Sequence, residues 1–290
     1  MKKILLIGKT GQLGAEIMKD AFSFGFEIIG FEQEELDVVD HLQVKEKIET
    51  IKPDIVINTS AYQVVSMCQE NPMAAMAVNF IAVLNLAEIC RENNIIFITY
   101  SSDYVFDGTK GAPNEENDAP NPLQVYGLSK LAGEYAALSV HPSGVFIIRT
   151  CGLYGGKKGS PEKGNFVLNI IKEAEDKEVV EVGCNQIVSP TYAGDLSRAT
   201  LKLLTSEAKP GIYHLINEEV CNWHEFTKEI FTLANINKEL KPVNRSDFDG
   251  KVKRPKFSAL KNTKARSLGI ILPSWQEGLR SYFNFLNNNG

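Results

Sequence analysis

We expect no membrane-spanning segment in this sequence, because a span requires about 18 apolar residues and we find no hydrophobic run of that length. Its N-terminal apolar run, residues 4–7, ends at Gly8 and is too short for the core of a signal peptide. No other stretch approaches the length of a span. We therefore expect no membrane partner and a cytoplasmic location.

Cysteine and histidine are also scarce, and neither follows a pattern typical of a bound metal. The five cysteines are widely separated and odd in number, without a CxxC pair or a short Cys/His spacing. A disulfide scaffold and a zinc site are therefore not indicated, and the four histidines are scattered. We predict no bound metal and a reducing compartment.

Charge of one sign is not concentrated anywhere in the chain. The chain has 31 Lys and Arg residues and 36 Asp and Glu residues, for a formal net charge of −5. Consecutive residues of like charge occur only in pairs such as Glu34-Glu35. A surface for nucleic acid needs clustered positive charge. We therefore expect a small-molecule partner and no nucleic acid.

The first half of the chain alternates short apolar runs with amphipathic stretches. Such alternation is typical of strand–helix–strand units in a parallel sheet that is buried on both faces. The spacing predicts strands at residues 3–7, 27–31, 55–58, 96–101 and 145–149, and helices at 12–24, 42–51, 71–93 and 126–139. The expected fold class is α/β, with a Rossmann-type doubly wound parallel sheet.

The composition changes after about residue 150, where glycine, lysine and proline become frequent. We therefore predict a nucleotide-binding domain at 1–150, with residues of about 179–204 folding back against it. Residues 151–178 and 205–290 are predicted to form a smaller α/β substrate-binding domain. The ligands would then lie in the cleft between the two domains.

A glycine-rich turn follows the first predicted strand and precedes a predicted helix. It has the spacing GxxGxxG and consists of Gly8, Lys9, Thr10, Gly11, Gln12, Leu13 and Gly14. Glycine allows a sharp turn and the close approach of a diphosphate to the helix N-terminus, where the amide groups favour negative charge. This position predicts a dinucleotide-binding site.

Two residues bear on which dinucleotide binds. Glu32, at the end of the second predicted strand, can accept hydrogen bonds from the adenosine ribose, which favours NADH because a carboxylate repels a 2′-phosphate. Lys9 can instead pair with that phosphate, so NADPH and NADH both remain candidate cofactors. We expect Asp37 and Val38 to contact the adenine, and Asp40 to cap the following helix.

The strongest chemical signal is the pair Tyr126 and Lys130 at the start of a predicted helix. Their i, i+4 spacing places both side chains on one helical face, so that the ammonium can lower the pKa of the tyrosine and bind ribose hydroxyls. Such a tyrosine can protonate a carbonyl oxygen as hydride reaches the carbon. Ser101, Ser102 and Asp103 follow the fourth strand, and ligands of open α/β sheets bind at the carboxyl ends of strands.

Several segments together resemble the extended short-chain dehydrogenase/reductases: 8–14, 58–62, 101–108, 126–134 and Arg149-Thr150. More narrowly, the chain resembles the dTDP-4-dehydrorhamnose reductase family, and the likeness extends over nearly its whole length through Ser189-Pro190-Thr191, Asn222-Trp223 and Arg254-Pro255. The resemblance implies an NAD(P)H-dependent oxidoreductase. It would reduce the 4-keto group of a nucleotide-linked deoxysugar, dTDP-4-dehydro-L-rhamnose to dTDP-L-rhamnose.

The resemblance also implies roles for individual residues. Tyr126 would donate the proton with Lys130 as its partner, and Ser102, or Ser101 in its place, would hydrogen-bond the substrate carbonyl. The cofactor would further contact Ser60, Ala61, Tyr62 and a supporting Asn79. The sugar nucleotide would contact Asp103, Tyr104, Asn165, Gln186 and Arg254, the last as a bidentate clamp on the diphosphate. The oligomeric state stays open, with a homodimer as one alternative.

Three departures from the family pattern lie on the sugar side of the expected cleft. Cys151-Gly152 replaces Ser/Ala-Trp, residues 63–66 replace Thr-Ala-Val-Asp, and Asn185 replaces an Asp. The alternatives are therefore a sugar-nucleotide epimerase or a reductase of another keto-sugar, which share these motifs. A non-catalytic NADP-binding regulatory homologue is a third, since the family also resembles the regulatory beta subunit of methionine adenosyltransferase, although intact Tyr126, Lys130 and Ser102 argue against it.

Overall fold

The computed structural model describes residues 1–157, 164–244, 248–249 and 252–288, and of residues 248–249 the backbone alone. The strands are β1 (Lys2–Ile7), β2 (Phe26–Phe31), β3 (Ile55–Asn58), β4 (Ile96–Ser102), β5 (Val145–Thr150), β6 (Leu153–Tyr154), β7 (Val179–Gly183), β8 (Ile187–Val188), β9 (Thr191–Tyr192), β10 (Gly211–His214), β11 (Cys221–Asn222), β12 (Glu239–Val243), β13 (Phe248–Asp249) and β14 (Val252–Lys253). The helices are α1 (Gln12–Asp20), α2 (His41–Ile51), α3 (Val65–Glu70), α4 (Pro72–Met76), α5 (Ala82–Glu92), α6 (Val125–Val140), α7 (Phe166–Asp176), α8 (Ala193–Thr205), α9 (Trp223–Leu233), α10 (Thr263–Ser267) and α11 (Trp275–Asn288).

A parallel sheet forms the centre of the molecule. Its strand order is β10-β5-β4-β3-β1-β2, which confirms the predicted doubly wound α/β fold. The direction of strand addition reverses between β1 and β3, and a crevice forms outside the carboxyl ends of the strands at such a switch point. The five predicted strands agree with β1 to β5 to within a single residue at each end.

Side chains of these strands alternate between two apolar layers. In β1, Ile4 and Leu6 belong to the layer that includes α1 and α8, whereas Leu5 and Ile7 belong to the layer that includes α2 and α5. Because successive side chains of a strand point to opposite faces, burial of both faces requires an unbroken apolar run. Each fully buried Leu or Ile stabilises the fold by about 1.5–3 kcal/mol, so the carboxyl edge of the sheet is firmly supported.

A smaller lobe lies beside the sheet. We define it as the parallel pair β7 and β12 together with α7, α9 and α11. In α7 the apolar stripe Val167, Ile170 and Ala174 is buried, as the helical period requires. Aromatic rings fill much of this core, and Tyr154 lies 5.4 Å from Phe226 and 5.5 Å from Tyr282 between ring centres.

Two of the predicted ranges are divided between the sheet and the smaller lobe. Within 179–204, α8 packs in the layer with α1, whereas β7 belongs to the smaller lobe. Within 205–290, β10 pairs with β5, and Ala265, Ile270 and Leu272 pack in the sheet's layer, so the assignment of this whole range to the smaller domain is wrong. Strand β10 has only two apolar residues, Ile212 and Tyr213, between Gly211 and His214, so no apolar run marks it as a strand of the buried sheet.

The expectation that no stretch approaches a membrane span also needs correction. Among the described residues, the 21-residue stretch Pro72–Glu92 contains an 18-residue window with a mean hydropathy of 1.8, long and apolar enough by composition to cross a membrane. Its side chains Val83, Leu86 and Ile89 are buried in the layer beneath the sheet. The core helix of a folded domain has the same composition, so this stretch by itself does not indicate a membrane partner.

Candidate active site

The glycine-rich turn lies at the carboxyl end of β1, beside the switch point. Gly8 has a φ of 90°, in the left-handed region that favours glycine, and the N–H groups of Gly8 and Lys9 donate to the Phe31 carbonyl at 2.8 and 3.0 Å. Gly14 packs so closely on this turn that a Cβ there would stand 2.0 Å from the Gly8 carbonyl oxygen. Backbone packing alone therefore requires both glycines.

The N-terminus of α1 suits a diphosphate. Its N-cap, Gly11, offers no side-chain hydrogen bond, so the first-turn amides stay available, and the buried Oε1 of Gln12 has no partner among the described residues. An uncapped helix N-terminus beside a glycine turn fits the diphosphate of NAD(P)H. Thr10 is exposed at the turn, whereas the Leu13 side chain is buried in an apolar layer and leaves only its backbone for such a contact.

The residues expected along the adenosine lie at the end of β2 and before α2. Glu32 is half-buried just beyond β2. Asp37 accepts the N–H of Val39 at 3.1 Å, and Val38 is buried in the apolar layer with α2. Asp40 accepts the N–H of Gln43 at 3.0 Å, which confirms the predicted cap of α2.

The segment after β3 holds Ser60, Ala61 and Tyr62 at the same edge of the sheet. Asn58 accepts hydrogen bonds from both the N–H and the hydroxyl of Ser60, at 3.0 and 2.5 Å. Asn79 accepts the N–H of Tyr62 at 3.0 Å and donates to its carbonyl at 2.9 Å. Asn79 lies in a π-helical turn, Ala77–Ile81, a distortion that is frequent at functional sites. It therefore supports this segment from below.

Helix α6 is seated tightly against two neighbouring segments. Gln124 caps it by accepting the N–H of Gly127 at 2.8 Å. A Cβ on Gly127 would stand 2.0 Å from the Tyr104 carbonyl oxygen, and one on Gly133 would stand 2.3 Å from the Asn79 carbonyl oxygen. The two glycines allow α6 to approach the turn that follows β4 and the π-helical turn closely, and this approach positions Tyr126.

Tyr126 lies beside Ser102, the last residue of β4. Burial raises the pKa of Tyr126, and the interaction with the Ser102 hydroxyl opposes that shift only in part. In the free protein burial therefore outweighs any lowering of the Tyr126 pKa by Lys130, because burial strips the phenolate of water. Tyr126 is a neutral phenol, which is the form that a proton donor requires.

Lys130 follows one helical turn later and is buried. Burial lowers its pKa to about 8, although the negative charge of Glu134 favours the ammonium form. Glu134 in turn accepts two hydrogen bonds from Arg149 of β5, at 2.9 and 2.6 Å. This buried bidentate pair fastens α6 to the sheet next to the reactive residues.

The substrate side of the site contains a buried carboxyl group. Asp103 accepts hydrogen bonds from the Ser102 hydroxyl at 2.9 Å and the Cys151 thiol at 3.2 Å, and Ser258 lies close enough to favour its charged form. Burial raises the pKa of Asp103 despite these donors. Cys151 is itself buried.

Tyr104 and Arg254 lie close to Tyr126. The rings of Tyr104 and Tyr126 meet edge to face with 6.1 Å between centres, and Nη1 of Arg254 donates to the Tyr104 hydroxyl at 3.3 Å. Burial raises the pKa of Tyr104 to about 12, although the Arg254 charge opposes the shift. A guanidinium thus reaches the edge of the site where an anionic part of a substrate would lie.

The remaining two candidates are placed differently. Gln186 directly precedes β8, whose Ile187 N–H donates to the Lys256 carbonyl at 2.8 Å, so Gln186 and Arg254 lie on adjacent segments. Asn165 instead caps α7 and donates to the Gly155 carbonyl and the Tyr282 hydroxyl at 3.1 and 2.9 Å. Its amide is thereby engaged within the smaller lobe.

The sequence reasoning gave no role to Ser129, although it lies within the motif that contains Tyr126. The Ser129 hydroxyl donates to the Tyr126 carbonyl at 2.8 Å and accepts from Asn79 at 3.0 Å. The signal available in the sequence was its place between Tyr126 and Lys130, and the structure buries it fully. The Glu134–Arg149 pair was also missed, because no local pattern connects residues on a helix and a distant strand.

Comparison with known proteins agrees with this geometry. The sequence model of the RmlD substrate binding domain matches residues 1–288. A dTDP-4-dehydrorhamnose reductase of Aggregatibacter actinomycetemcomitans is 34% identical, over 97% of this chain and 98% of that protein. The spore coat polysaccharide biosynthesis protein SpsK of Bacillus subtilis (strain 168) is 33% identical over 97% of each chain.

A solved structure shows the same likeness in three dimensions. The dTDP-4-dehydrorhamnose reductase of Bacillus anthracis in complex with NADP has a TM-score of 0.91 and 32% identity, covering 97% of this chain and 98% of that one. With a family match over 288 residues and relatives above 30% identity along almost the full length, this chain belongs to the dTDP-4-dehydrorhamnose reductase family.

Proposed function

We propose that this chain reduces the 4-keto group of dTDP-4-dehydro-L-rhamnose to give dTDP-L-rhamnose, with NAD(P)H as the cofactor. One observation carries the proposal: Tyr126 meets Ser102 at the carboxyl edge of the sheet, with Lys130 one turn away. The glycine turn and the uncapped N-terminus of α1 lie at the same edge. The name of the 34% identical relative supports the choice of sugar.

The side chains of the site have separate tasks in this reaction. Bound NAD(P)H supplies the hydride for the keto carbon. Ser102 donates a hydrogen bond to the carbonyl oxygen, and Tyr126 delivers its proton to that oxygen as negative charge develops there. Lys130, as an ammonium, holds the ribose hydroxyls and stabilises the phenolate that the proton transfer leaves on Tyr126.

We further propose that the sugar nucleotide lies in the cleft between the large sheet and the smaller lobe. Arg254 and Gln186 would face its diphosphate, since a guanidinium binds phosphate oxygens in a bidentate manner. Asp103 and Tyr104 would border the sugar. The five cysteines are free thiols, which supports our inference that the enzyme works in a reducing compartment such as the cytoplasm.

A reductase of a different nucleotide keto-sugar is the second candidate. Gly152 has a φ of 54°, and a Cβ there would stand 3.2 Å from both the Pro190 Cα and the ring of Trp223. A larger side chain at position 152 would therefore be crowded by Trp223 and strained by this backbone conformation. The 33% identical relative, SpsK, is named for spore coat polysaccharide biosynthesis and not for a rhamnose reductase.

The test is to mix the purified protein with NADH or NADPH and dTDP-4-dehydrorhamnose generated in place, and to follow the absorbance of the reduced nicotinamide. We expect rapid oxidation that depends on the sugar. Failure with this sugar and success with another nucleotide keto-sugar would select the second candidate. Failure with every sugar, despite cofactor binding, would favour a regulatory homologue.

Replacing the proton donor gives the sharper test. We expect Tyr126→Phe to lower kcat by roughly 10²–10⁴-fold, the usual contribution of general acid catalysis, while cofactor affinity stays within a few-fold. Tyr135→Phe is the matched control, because Tyr135 lies on the same helix and is 55% exposed. Turnover by Tyr126→Phe at the wild-type rate would rule out the assigned role.

A further inference from the structure

An ion pair at the end of β2 bears on which reduced dinucleotide this chain accepts. The Nζ atom of Lys9 donates to Oε2 of Glu35 at 2.6 Å. The same carboxylate oxygen accepts the backbone N–H of Glu32 at 3.0 Å. Glu35 thus joins Lys9 of the glycine turn to Glu32, the residue that follows β2 and that is expected to bind the adenosine ribose.

The Lys9 side chain has a fixed course to this point. A Cβ on Gly30 of β2 would stand 2.8 Å from the Lys9 Cβ and 3.4 Å from its Cδ, so the absence of a side chain at position 30 admits the lysine stem. The hydrogen bond with Glu35 raises the pKa of Lys9 and lowers the pKa of Glu35. Both groups are therefore charged at neutral pH, and each neutralises the other.

The Glu32 carboxylate differs from that of Glu35 in having no hydrogen-bond partner within the part of the chain that the structure describes. It can accept hydrogen bonds from the two vicinal hydroxyls of an adenosine ribose. A 2′-phosphate would meet the Glu32 and Glu35 carboxylates, with Lys9 already paired. The other nearby cation, Lys47, lies 5.2 Å above the Phe31 ring and also acts on Glu35.

We propose that Glu32 and Glu35 together select NADH over NADPH in this chain. Glu32 binds the ribose diol, and Glu35 is a positioning residue that holds Lys9 away from a 2′-phosphate. The inference rests on the proposed function, since it assumes that the glycine turn binds the dinucleotide. The Bacillus anthracis relative is described in complex with NADP, so membership of the family leaves this choice to local residues.

Direct binding tests the proposal without any sugar substrate. Isothermal titration calorimetry of the purified full chain with NADH and with NADPH should give an affinity for NADH about tenfold or more higher, as expected when a charged hydrogen bond is lost and like charges meet. Glu35→Gln keeps an acceptor for the Glu32 N–H but cannot pair with an ammonium. We expect this variant to bind NADPH about tenfold more tightly than the wild type, with NADH affinity nearly unchanged.

Two further variants separate the ion pair from a general change of charge. Glu34→Gln removes a negative charge from the exposed neighbouring residue and should leave the ratio of the two affinities unchanged. Adding Lys9→Gln to Glu35→Gln should abolish the gain in NADPH affinity, because the freed ammonium is what binds the phosphate. Survival of the gain in the double variant would overturn the proposal.

The remaining outcomes are also decisive. Equal or tighter binding of NADPH by the wild type, or an unchanged ratio in Glu35→Gln, would overturn the selection of NADH and leave the reductase assignment intact. Binding of neither dinucleotide by the folded wild type would overturn the proposed function itself and the inference with it.

Discussion

Tyr126 and Lys130 share one face of α6. Burial raises the pKa of Tyr126 and lowers the pKa of Lys130, and both shifts favour the neutral side chain. For Tyr126 this shift suits the reaction, because the phenol must carry its proton until the hydride arrives. For Lys130 it acts against the charge that binds the ribose. Proteins hold a buried ammonium only where nearby charge offsets the loss of water, and Glu134 supplies part of that here.

The lowered pKa of Lys130 predicts an unusual pH dependence. Cofactor affinity of the free enzyme should fall above about pH 8, where the ammonium loses its proton. Folding stability should change in the opposite direction, because the unfolded lysine titrates near 10.5 and binds more protons than the folded one between the two values. Stability should therefore rise with pH across this window while binding weakens.

Titrations of cofactor from about pH 7 to 9.5 check the first part, and urea unfolding over the same range checks the second. Lys130→Arg is the informative variant, because a guanidinium stays protonated throughout this range and its binding curve should be flat. A wild-type affinity that is constant to pH 9.5 would show that the bound form of Lys130 titrates elsewhere.

At the residue scale, the sequence was sufficient for the reactive side chains and insufficient for their supports. Tyr126, Lys130 and Ser102 belong to local patterns that follow a strand or open a helix, and the structure brings them together. The contacts of Asp103 with Cys151 and Ser258 join residues more than 40 positions apart, and no periodic pattern in the sequence predicts such contacts. The raised pKa of Tyr126 was not predicted for the same reason, since burial is a property of the folded chain.

At the scale of elements, the position of α6 depends on two glycines, Gly127 and Gly133, because a side chain at either residue would collide with neighbouring backbone. Gly133 is in the middle of the helix, where glycine usually costs stability relative to alanine. The close approach of the Asn79 carbonyl oxygen, 2.3 Å from where a Cβ would stand, explains why alanine does not fit. Propensity and packing therefore predict opposite effects for Gly133→Ala.

We expect packing to prevail in this variant. Gly133→Ala should lower the free energy of unfolding by about 1–3 kcal/mol, the usual cost of overpacking, instead of raising it by the ~1 kcal/mol that helix propensity alone predicts. Urea denaturation measures the difference, and Ser139→Ala at an exposed position of the same helix is the control. A stabilised Gly133→Ala would mean that α6 and the π-helical turn are not in close contact.

The sequence predicted the position of some strands and helices and not of others. Strands β1 to β5 were placed because each is an apolar run buried on both faces. Strand β10 was not, since Gly211 and His214 leave only two apolar residues between them, and it joins the sheet only because the chain returns through α8. The π-helical turn around Asn79 likewise has no signature in an otherwise helical pattern.

At the scale of the whole molecule, His214 connects three distant parts of the chain. It lies on β10, fully buried, and its ring Nδ1 donates to the Asn114 carbonyl at 3.1 Å. Its backbone N–H donates to Glu116 at 3.3 Å, and Lys264 donates its N–H to the same carboxylate at 3.0 Å. The sheet, the loop before α6 and the C-terminal segment therefore meet at this residue.

Burial, and then the positive charge of Arg149, lower the pKa of His214 to about 3. The unfolded histidine titrates near 6.5, so the unfolded chain binds more protons than the folded one between these values. Stability supplied by the neutral ring is fully present above pH 6.5 and is lost as the pH falls towards 3. The raised pKa values of Asp103 and Asp195 act in the opposite direction, which is why a comparison of variants is needed.

Replacing His214 isolates its share of the acid sensitivity. His214→Asn keeps an N–H donor for the Asn114 carbonyl but does not titrate. Between about pH 7.5 and 5.5 we expect the wild type to lose about 1 kcal/mol more unfolding free energy than this variant, since one proton is taken up on unfolding. Urea denaturation at both pH values measures the difference, with His224→Asn, a partly exposed histidine, as control. Equal losses in the wild type and His214→Asn would show that the ring is not held neutral, and that the junction of sheet, loop and C-terminal segment tolerates a charged imidazole.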